Sequence, residues 1–409
     1  MPYDFYGGLD FGTSGARISI IDLHKELVYS NSVPYPYSFK NPNSWIYSCG
    51  KLLDSLPIEV KKNLYKLAIS GTSGTLTAFN LKGEPIGEAI PYDQACHEHK
   101  ILLKSLTSGE DHLRTPYSSL AKALNLIDKY GTNILLRHQS DWITGWFLKD
   151  WTHGEEGNNL KLGWDLIKES WPKSYLNTSW QKCLPQIIKS GKIIGQVNFD
   201  LAKRFNLNKK LKLISGTTDS NASLIAASLR KEDGLTVLGT TIVVKKIIDK
   251  PIKVQGITSH RVSGDWICGG ASNAGCGILS KFFSDLEIKE LSRQINPSKE
   301  TSLNLLPLNS KGERFPLNNS DLEPILGPRP VSDSLYLHAL FEGLANIELK
   351  GWERLGELTG SLPKKIITIG GGAKNPQWRK IREKIINIPI VSCNKTTSFG
   401  TALLAINSK

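Results

Sequence analysis

Two stretches in the first part of this chain return, in the same order, in its second half. Gly8-Leu9-Asp10-Phe11-Gly12-Thr13-Ser14 reads as strand, Gly-Thr turn, strand, and Thr236-Val237-Leu238-Gly239-Thr240-Thr241 repeats it. Leu67-Ala68-Ile69-Ser70-Gly71-Thr72-Ser73-Gly74 is echoed by Ile366-Ile367-Thr368-Ile369-Gly370-Gly371-Gly372-Ala373. Self-similarity at so long a spacing predicts a duplicated domain, not a solenoid. A length of 409 residues supports two cores. Two similar halves would leave a cleft, with one turn facing it from each side. The polar run Arg230-Lys231-Glu232-Asp233-Gly234 is the expected hinge, dividing the chain into domains 1–229 and 230–409.

Strand and helix patterns alternate, which predicts an α/β protein. Strands are expected at Tyr6–Leu9, Ile18–Ile21, Leu64–Ser70, Lys210–Ser215, Leu235–Leu238, Thr241–Lys245 and Lys365–Ile369. Helices are expected at Asn221–Arg230, Leu335–Leu355, Pro376–Ile385 and Phe399–Ile406. The Trp-, Leu- and Lys-rich region 95–191 is expected to be mostly helical, and Leu306–Pro330 to be an ordered surface loop. Apolar and charged fractions of 40% and 22% are those of a soluble globular protein. No apolar run has the length of a membrane span, and the first residues have neither part of a signal peptide. Six scattered cysteines without CxxC spacing read as reduced thiols of a cytoplasmic protein. The net charge of +13 is spread along the chain without a dense basic tract. It argues against nucleic acid as a partner and for a general attraction to anionic substrates.

The turn between the first two strands holds Asp10, Gly12, Thr13 and Ser14. Glycine lets consecutive N–H groups line a concavity that holds an anion. An aspartate beside it would repel phosphate unless a divalent cation lies between, which suits Mg²⁺ carrying a nucleotide. The bland alternative is a hairpin with Asp and Gly as turn formers. Ser215-Gly216-Thr217-Thr218-Asp219-Ser220 follows an apolar strand and opens an alanine-rich helix. Asp219 there is a candidate general base at a strand's carboxyl end, with Ser220 as the helix cap. Gly239-Thr240-Thr241 is a second candidate phosphate clamp. The small-residue run Gly269–Gly277 fits either close approach to a nucleotide or a tight core turn. Gly370-Gly371-Gly372-Ala373-Lys374-Asn375 lies between strand and helix but lacks the third Rossmann glycine. Asn375 and Trp378 could offer an amide and a ring to adenine, or simply pack the helix. GxxxxGK[ST] and GxSxG are both absent, which excludes the P-loop and the usual serine-hydrolase elbow. His97-Glu98-His99 has poor spacing for one metal ion.

In this order, an Asp-bearing phosphate hairpin, a strand-end Asp, a second phosphate turn and a Gly-rich loop resemble the FGGY family of carbohydrate kinases. Gly312-Glu313-Arg314-Phe315-Pro316 and the ending Gly400-Thr401-Ala402-Leu403-Leu404 are similar to stretches of that family. Gly71-Thr72-Ser73-Gly74-Thr75 and Tyr92-Asp93-Gln94-Ala95-Cys96 resemble its short cyanobacterial and plant D-ribulose kinases, a xylulose-kinase-like branch. Typical xylulose and glycerol kinases carry Gln/His-containing and Arg-containing versions there.

The resemblance implies two duplicated ribonuclease-H-like domains of the actin-like ATPase superfamily, with a nucleotide cleft between them. It implies an N-terminal sugar-binding domain and a C-terminal ATP-binding domain, with the last helix, about 398–409, packing back on the first. It implies ATP-dependent phosphorylation of a small sugar, most simply D-ribulose to D-ribulose 5-phosphate, by a monomer or homodimer. D-Xylulose, glycerol or another polyol are the alternative substrates. A sugar-responsive ATP-binding module without catalysis and a filament-forming actin relative are alternatives of other classes. By analogy Asp10 holds Mg²⁺ and reaches the sugar, Ser73 hydrogen-bonds it, and Asp219 takes the hydroxyl proton. Gly12, Thr13 and Ser14 orient the γ-phosphate, Gly239 and Thr240 bind phosphate, and Gly371, Gly372, Asn375 and Trp378 surround the adenosine.

Overall fold

The computed structural model describes residues 4–107 and 112–408, which divide into two compact units. The first is built from the chain up to Ala226, residues 262–264 and the segment from Lys395 onward; the second is Ala227–Arg261 with Asp265–Asn394.

In the first unit β1 (Phe5–Phe11) and β2 (Gly15–Ile21) form an antiparallel hairpin that β3 (Leu27–Pro34) extends. Helix α1 (Pro42–Ser55) starts where Asn41 caps it and Pro42 presets its first turn. It buries Trp45, Cys49, Leu52 and Leu53, one helical face, against the core. A short helix, α2 (Ile58–Asn63), leads into β4 (Leu64–Gly71), whose last five residues are all buried, as in a central parallel strand. An inserted region follows: β5 (Leu76–Phe79), α3 (Lys100–Leu106), α4 (Ser119–Tyr130), β6 (Leu135–His138), α5 (Gln139–Leu148), β7 (His153–Glu155), α6 (Glu156–Asn159) and β8 (Gln186–Ile188). The chain then returns through β9 (Ile193–Gln196), α7 (Phe199–Phe205), β10 (Lys212–Thr218) and α8 (Asp219–Ala226). The sheet runs β3-β2-β1-β4-β10-β9, with β1, β4 and β10 parallel.

The second unit starts its sheet with the antiparallel hairpin β11 (Asp233–Leu238) and β12 (Ile242–Ile248), followed by β13 (Ile257–Val262) and β14 (Asp265–Ala271). Helices α9 (Cys276–Leu279), α10 (Asp285–Gln294) and α11 (Asp333–Thr359) precede β15 (Lys365–Ile369), α12 (Pro376–Ile386) and β16 (Ile390–Ser392). Its order is β13-β14-β12-β11-β15-β16, with β11 antiparallel to β12 and parallel to β15. The sequence echoes therefore fall on topologically equivalent elements, β1 with β11 and β4 with β15. Arg382 and Glu348 form a fully buried two-pronged ion pair (2.6 and 2.7 Å) that also engages Thr236 and Thr368, tying α11 and α12 to β11 and β15.

The last helix, α13 (Thr397–Ile406), lies against β1 and β4. Ser398 meets Ser19 (2.8 Å) and Thr401 meets Ser70 (2.8 Å). Gly8 makes that approach possible, because a Cβ there would run into the backbone of Ser398 and Ala402.

Three expectations change. Region 95–191 is not mostly helical in its described part. Beyond α3–α6 it is turns and short strands around a Trp164, Trp171, Tyr175 and Trp180 cluster. Its apolar residues are dense but lack the helical period. Leu306–Pro330 is a loop, yet Leu308, Glu313 and Phe315 dip into the interior. The helix expected from Asn221 starts at Asp219, and its cap is not Ser220: the Asn221 N–H donates to Thr218 Oγ1 (3.2 Å).

Candidate active site

Ligands of open α/β sheets collect at the carboxyl ends of the parallel strands. In the first unit that end is polar. Asp10 is the penultimate residue of β1 and pairs in register with Ser70 of β4. Thr217 and Thr218 of β10 lie beside Ser70 and Gly71, which places Asp219 immediately beyond the sheet. Asp10 is only 3% exposed, and Ser70 Oγ donates to its Oδ1 (2.9 Å). Burial pushes its carboxyl up to about 7 from 3.8; Asp219 adds repulsion, while Ser70 and Arg17 oppose the rise. Arg17 stands opposite Asp10 across the hairpin.

Asp219 Oδ1 accepts from the Ser73 N–H (3.3 Å) and the Ser220 N–H (2.8 Å). The loop after β4 thus carries Ser73 to the proposed base by its backbone and leaves its hydroxyl half-exposed. Gln139 Oε1 anchors the same loop, accepting from the Thr72 N–H (3.0 Å) and Thr72 Oγ1 (2.9 Å). Thr13 and Ser14 are exposed at the hairpin tip, closed by Gly12 N–H to Gly15 O (3.0 Å). Tyr35 donates to the Gly12 carbonyl (2.9 Å), and its hydroxyl pKa is pushed up by burial and by the nearby Asp10.

Lys161 is a site residue that the sequence reading missed. Its ammonium donates to the Ser73 carbonyl (3.0 Å); desolvation lowers its pKa, and the attraction of Asp219 resists that. Tyr92 also feels the charge of Asp219. Tyr35 and Gln139 were likewise unmarked. A helical lysine and a loop tyrosine have no motif; only the fold brings them to the strand ends.

In the second unit three small-residue segments meet. Gly239 closes the β11–β12 turn (N–H to Thr241 O, 3.2 Å) and its carbonyl accepts from Cys276 N–H (2.8 Å); Thr240 is exposed. Gly275 and Gly277 lack room for a Cβ against Thr240 and Thr241, so the end of the 269–277 run packs on this turn. Gly269 and Gly270 are fitted to Val244 and Phe315, which makes the start of the run a packing feature. Gly370, at φ +98°, approaches Leu238 closely, while the space beside Gly371 is open.

Trp378 corrects an expectation. It is 1% exposed and stacked on Phe341 (5.0 Å between ring centres, 8° between planes), so its ring belongs to the core. Asn375 caps α12, accepting from the N–H groups of Gln377 and Trp378, and its amide donates to Ser292 Oγ (2.7 Å). Both of its polar ends are engaged within the protein. Gly372 is equally constrained, since a Cβ there would press on Trp378, Leu238 and Cys276.

Comparison with known proteins follows the same division. Residues 234–408 match the family model for the FGGY family of carbohydrate kinases, C-terminal domain. Residues 234–408 are a C-terminal domain of the FGGY carbohydrate-kinase type. Across nearly its whole length it is similar to curated kinases. With the xylulose kinase of Lactococcus lactis it shares 24% identity over 424 residues, 94% of this chain and 83% of the relative. With the autoinducer-2 kinase of Yersinia enterocolitica it shares 20% over 457 residues, 98% and 86% of the two chains. Among solved structures, a xylulose kinase from Brucella ovis superposes at a TM-score of 0.82 with 19% identity, covering 98% of this chain and 90% of that one. Plasmodium falciparum glycerol kinase with ADP gives 0.81 and 18%, covering 98% and 89%. At these identities the structural likeness speaks to fold alone: the chain shares the fold of these kinases, two α/β units each built on a mixed sheet. Among the described residues no helix is long and apolar enough to cross a membrane.

Proposed function

We propose that this FGGY protein transfers the γ-phosphoryl group of ATP to a primary hydroxyl of a small ketose, with D-ribulose as the favoured substrate. The observation that carries the reading is the pairing of Asp10 and Asp219 around the loop of Ser73, at the carboxyl ends of β1, β4 and β10. Phosphoryl transfer to an alcohol needs a carboxylate to accept the hydroxyl proton. Asp219 fits that role, because its carboxylate is held by the backbone N–H groups of Ser73 and Ser220 just beyond the strand ends and is only half-buried. Ser73 Oγ and the Lys161 ammonium then hydrogen-bond the sugar's oxygens and orient it toward Asp219. Gly12, Thr13 and Ser14 hold phosphate at the hairpin tip. In the second unit the turn closed by Gly239 presents the Thr240 N–H, and the loop after β15 the Gly371 N–H, to the nucleotide. On this reading 1–229 is the sugar domain and 230–409 the ATP domain.

The donor set fits magnesium brought in with the nucleotide. Two mutually repelling carboxylates stand at this strand end, and the described residues offer no cluster of three metal-ligating side chains. Such a site suits an ion held by one or two carboxylates and by phosphate. Asp10 would hold it, and the ion would neutralise charge on the phosphates.

The test is coupled ADP release with D-ribulose, D-xylulose, L-ribulose, glycerol and no sugar. Release that requires D-ribulose supports the assignment. Preference for D-xylulose, a form of the xylulose that several relatives are named for, would move the protein to that substrate. Release without any sugar would reveal a plain ATPase.

A further inference from the structure

Lys122 lies in the first turn of α4, within Leu120-Ala121-Lys122-Ala123-Leu124, and is fully buried (0% exposed). Among the described residues no carboxylate pairs with it. Its ammonium instead donates to three backbone carbonyls: Gly74 (3.0 Å), Tyr92 (3.0 Å) and Tyr117 (3.1 Å). Three donors meet three acceptors, so the group is saturated. The acceptors come from three separate segments: the loop after β4, the stretch around Tyr92, and the turn leading into α4.

A buried ammonium without a counter-ion is expensive, and an apolar side chain would fill this place at lower cost. Two of the three segments lead to the site. Gly74 follows Ser73, whose N–H reaches Asp219 and whose carbonyl receives Lys161. Tyr92 feels the charge of Asp219. We infer that Lys122 is a positioning residue for the sugar end of the site, a cationic staple that fixes Ser73 and Tyr92 about Asp219 by holding the Gly74, Tyr92 and Tyr117 carbonyls together. The inference rests on the kinase reading for its link to sugar, while the staple itself can be tested without a substrate.

The staple is sensitive to pH. Burial and the neighbouring Lys161 lower the pKa of Lys122 to about 8, while Asp93 and Cys96 support its charge. His138 also faces it, and the charge of Lys122 helps to lower the His138 pKa. Below about pH 8 the ammonium serves all three carbonyls; above it, the neutral amine has two hydrogens and turns a lone pair toward one of them.

The experiment compares the full-length wild type with Lys122→Met by amide hydrogen exchange at pH 7 and pH 9, corrected for intrinsic rates. ADP release is measured alongside with sugar and ATP varied separately. Lys122→Met should exchange faster at 72–75 and 92–96 by at least ~10-fold, with β1, β4 and β10 unchanged. Its KM for sugar should rise ~10- to 100-fold with KM for ATP within ~2-fold. In the wild type both local exchange and sugar KM should rise from pH 7 to pH 9, and the variant should show no such step. Unchanged local exchange in the variant, or equal rises in the two KM values, overturns the inference. If Lys122→Met does not fold, the wild-type pH arm decides, and constant protection of 72–75 relative to β4 is the refuting result. A wild type inactive on every sugar would refute the kinase reading, and the exchange data would still decide whether Lys122 holds these loops.

Discussion

Asp10→Asn is expected to stabilise the folded chain at pH 8 while removing sugar-dependent ADP release. The unfolded carboxyl titrates at its ordinary 3.8, and folding raises it to about 7, chiefly by burial. A carboxyl raised in this way supports the fold when protonated. Its contribution is complete below pH 3.8 and is lost as the pH climbs through about 7. At ~1.4 kcal/mol per pH unit, integration over that window gives a loss of roughly 2 kcal/mol at pH 5 and roughly 4 kcal/mol at pH 8. Asparagine does not titrate and keeps an oxygen for Ser70 Oγ. The stability difference between variant and wild type should therefore grow by roughly 2–3 kcal/mol in favour of asparagine from pH 5 to pH 8. Urea unfolding at both pH values reads this as a shift in midpoint at constant slope. Because Asp219 is one of the charges that raise Asp10, the step should shrink in an Asp219→Asn background. A difference that does not change with pH, or changes in the opposite sense, would mean that Asp10 stays ionised, and the desolvation argument would fail.

Asp219→Ala should lose sugar-dependent ADP release by at least ~10²-fold while ATP binding, read by equilibrium dialysis, is retained; near-normal turnover would remove Asp219 as the base. Glu348→Gln leaves Arg382 buried beside an uncharged partner and should cost about 3–5 kcal/mol in urea unfolding. The double replacement Glu348→Leu with Arg382→Met should cost less than that single change, and additive losses would contradict the buried-charge account. Trp378→Phe should keep KM for ATP within ~2-fold, since the ring packs on Phe341 and not on a ligand. A tenfold rise in a folded Trp378→Phe protein would return Trp378 to the nucleotide site.

The sequence carried the sheet scaffold because each central strand is locally consistent. Leu64–Gly71 and Lys365–Ile369 are apolar runs ended by glycine, and each echo keeps its Gly turn. Asp10 and Asp219 stood out as candidates for a related reason: a carboxylate at the end of an apolar strand, or just beyond it, is conspicuous. Lys161, Lys122, Tyr35 and Gln139 were not. Each contributes through atoms far from its own segment, so no spacing rule joins it to the strand ends. Lys122 did leave a local trace, a lysine among Leu120, Ala121, Ala123 and Leu124, where a solvated helix face would hold further polar residues. For Trp378 the residues left adenine contact and helix packing both open, the family resemblance favoured adenine, and only the stacked Phe341, from a distant helix, shows where the ring goes.

The duplication also explains why the chemistry is lopsided. When the two Gly-Thr turns are aligned, Asp10 corresponds to Val237, and Ser70 on β4 corresponds to Ile369 on β15. The first unit therefore ends its parallel strands with a carboxylate, a hydroxyl and, beyond β10, a second carboxylate. The second unit ends the equivalent strands in Gly239-Thr240 and Gly370-Gly371-Gly372, with aliphatic residues where the polar ones would stand. Glycine turns present backbone N–H groups to an anion but cannot exchange a proton. Carboxylates can exchange one, at the expense of desolvation and mutual repulsion, as Asp10 shows. On the proposed function, one repeated topology thus supplies two kinds of strand end, one to take a proton from an alcohol and one to grip phosphate. That division of labour is what a phosphoryl transfer from nucleotide to sugar requires. It predicts that moving a carboxylate into the second unit by Val237→Asp would weaken nucleotide binding without creating a second base.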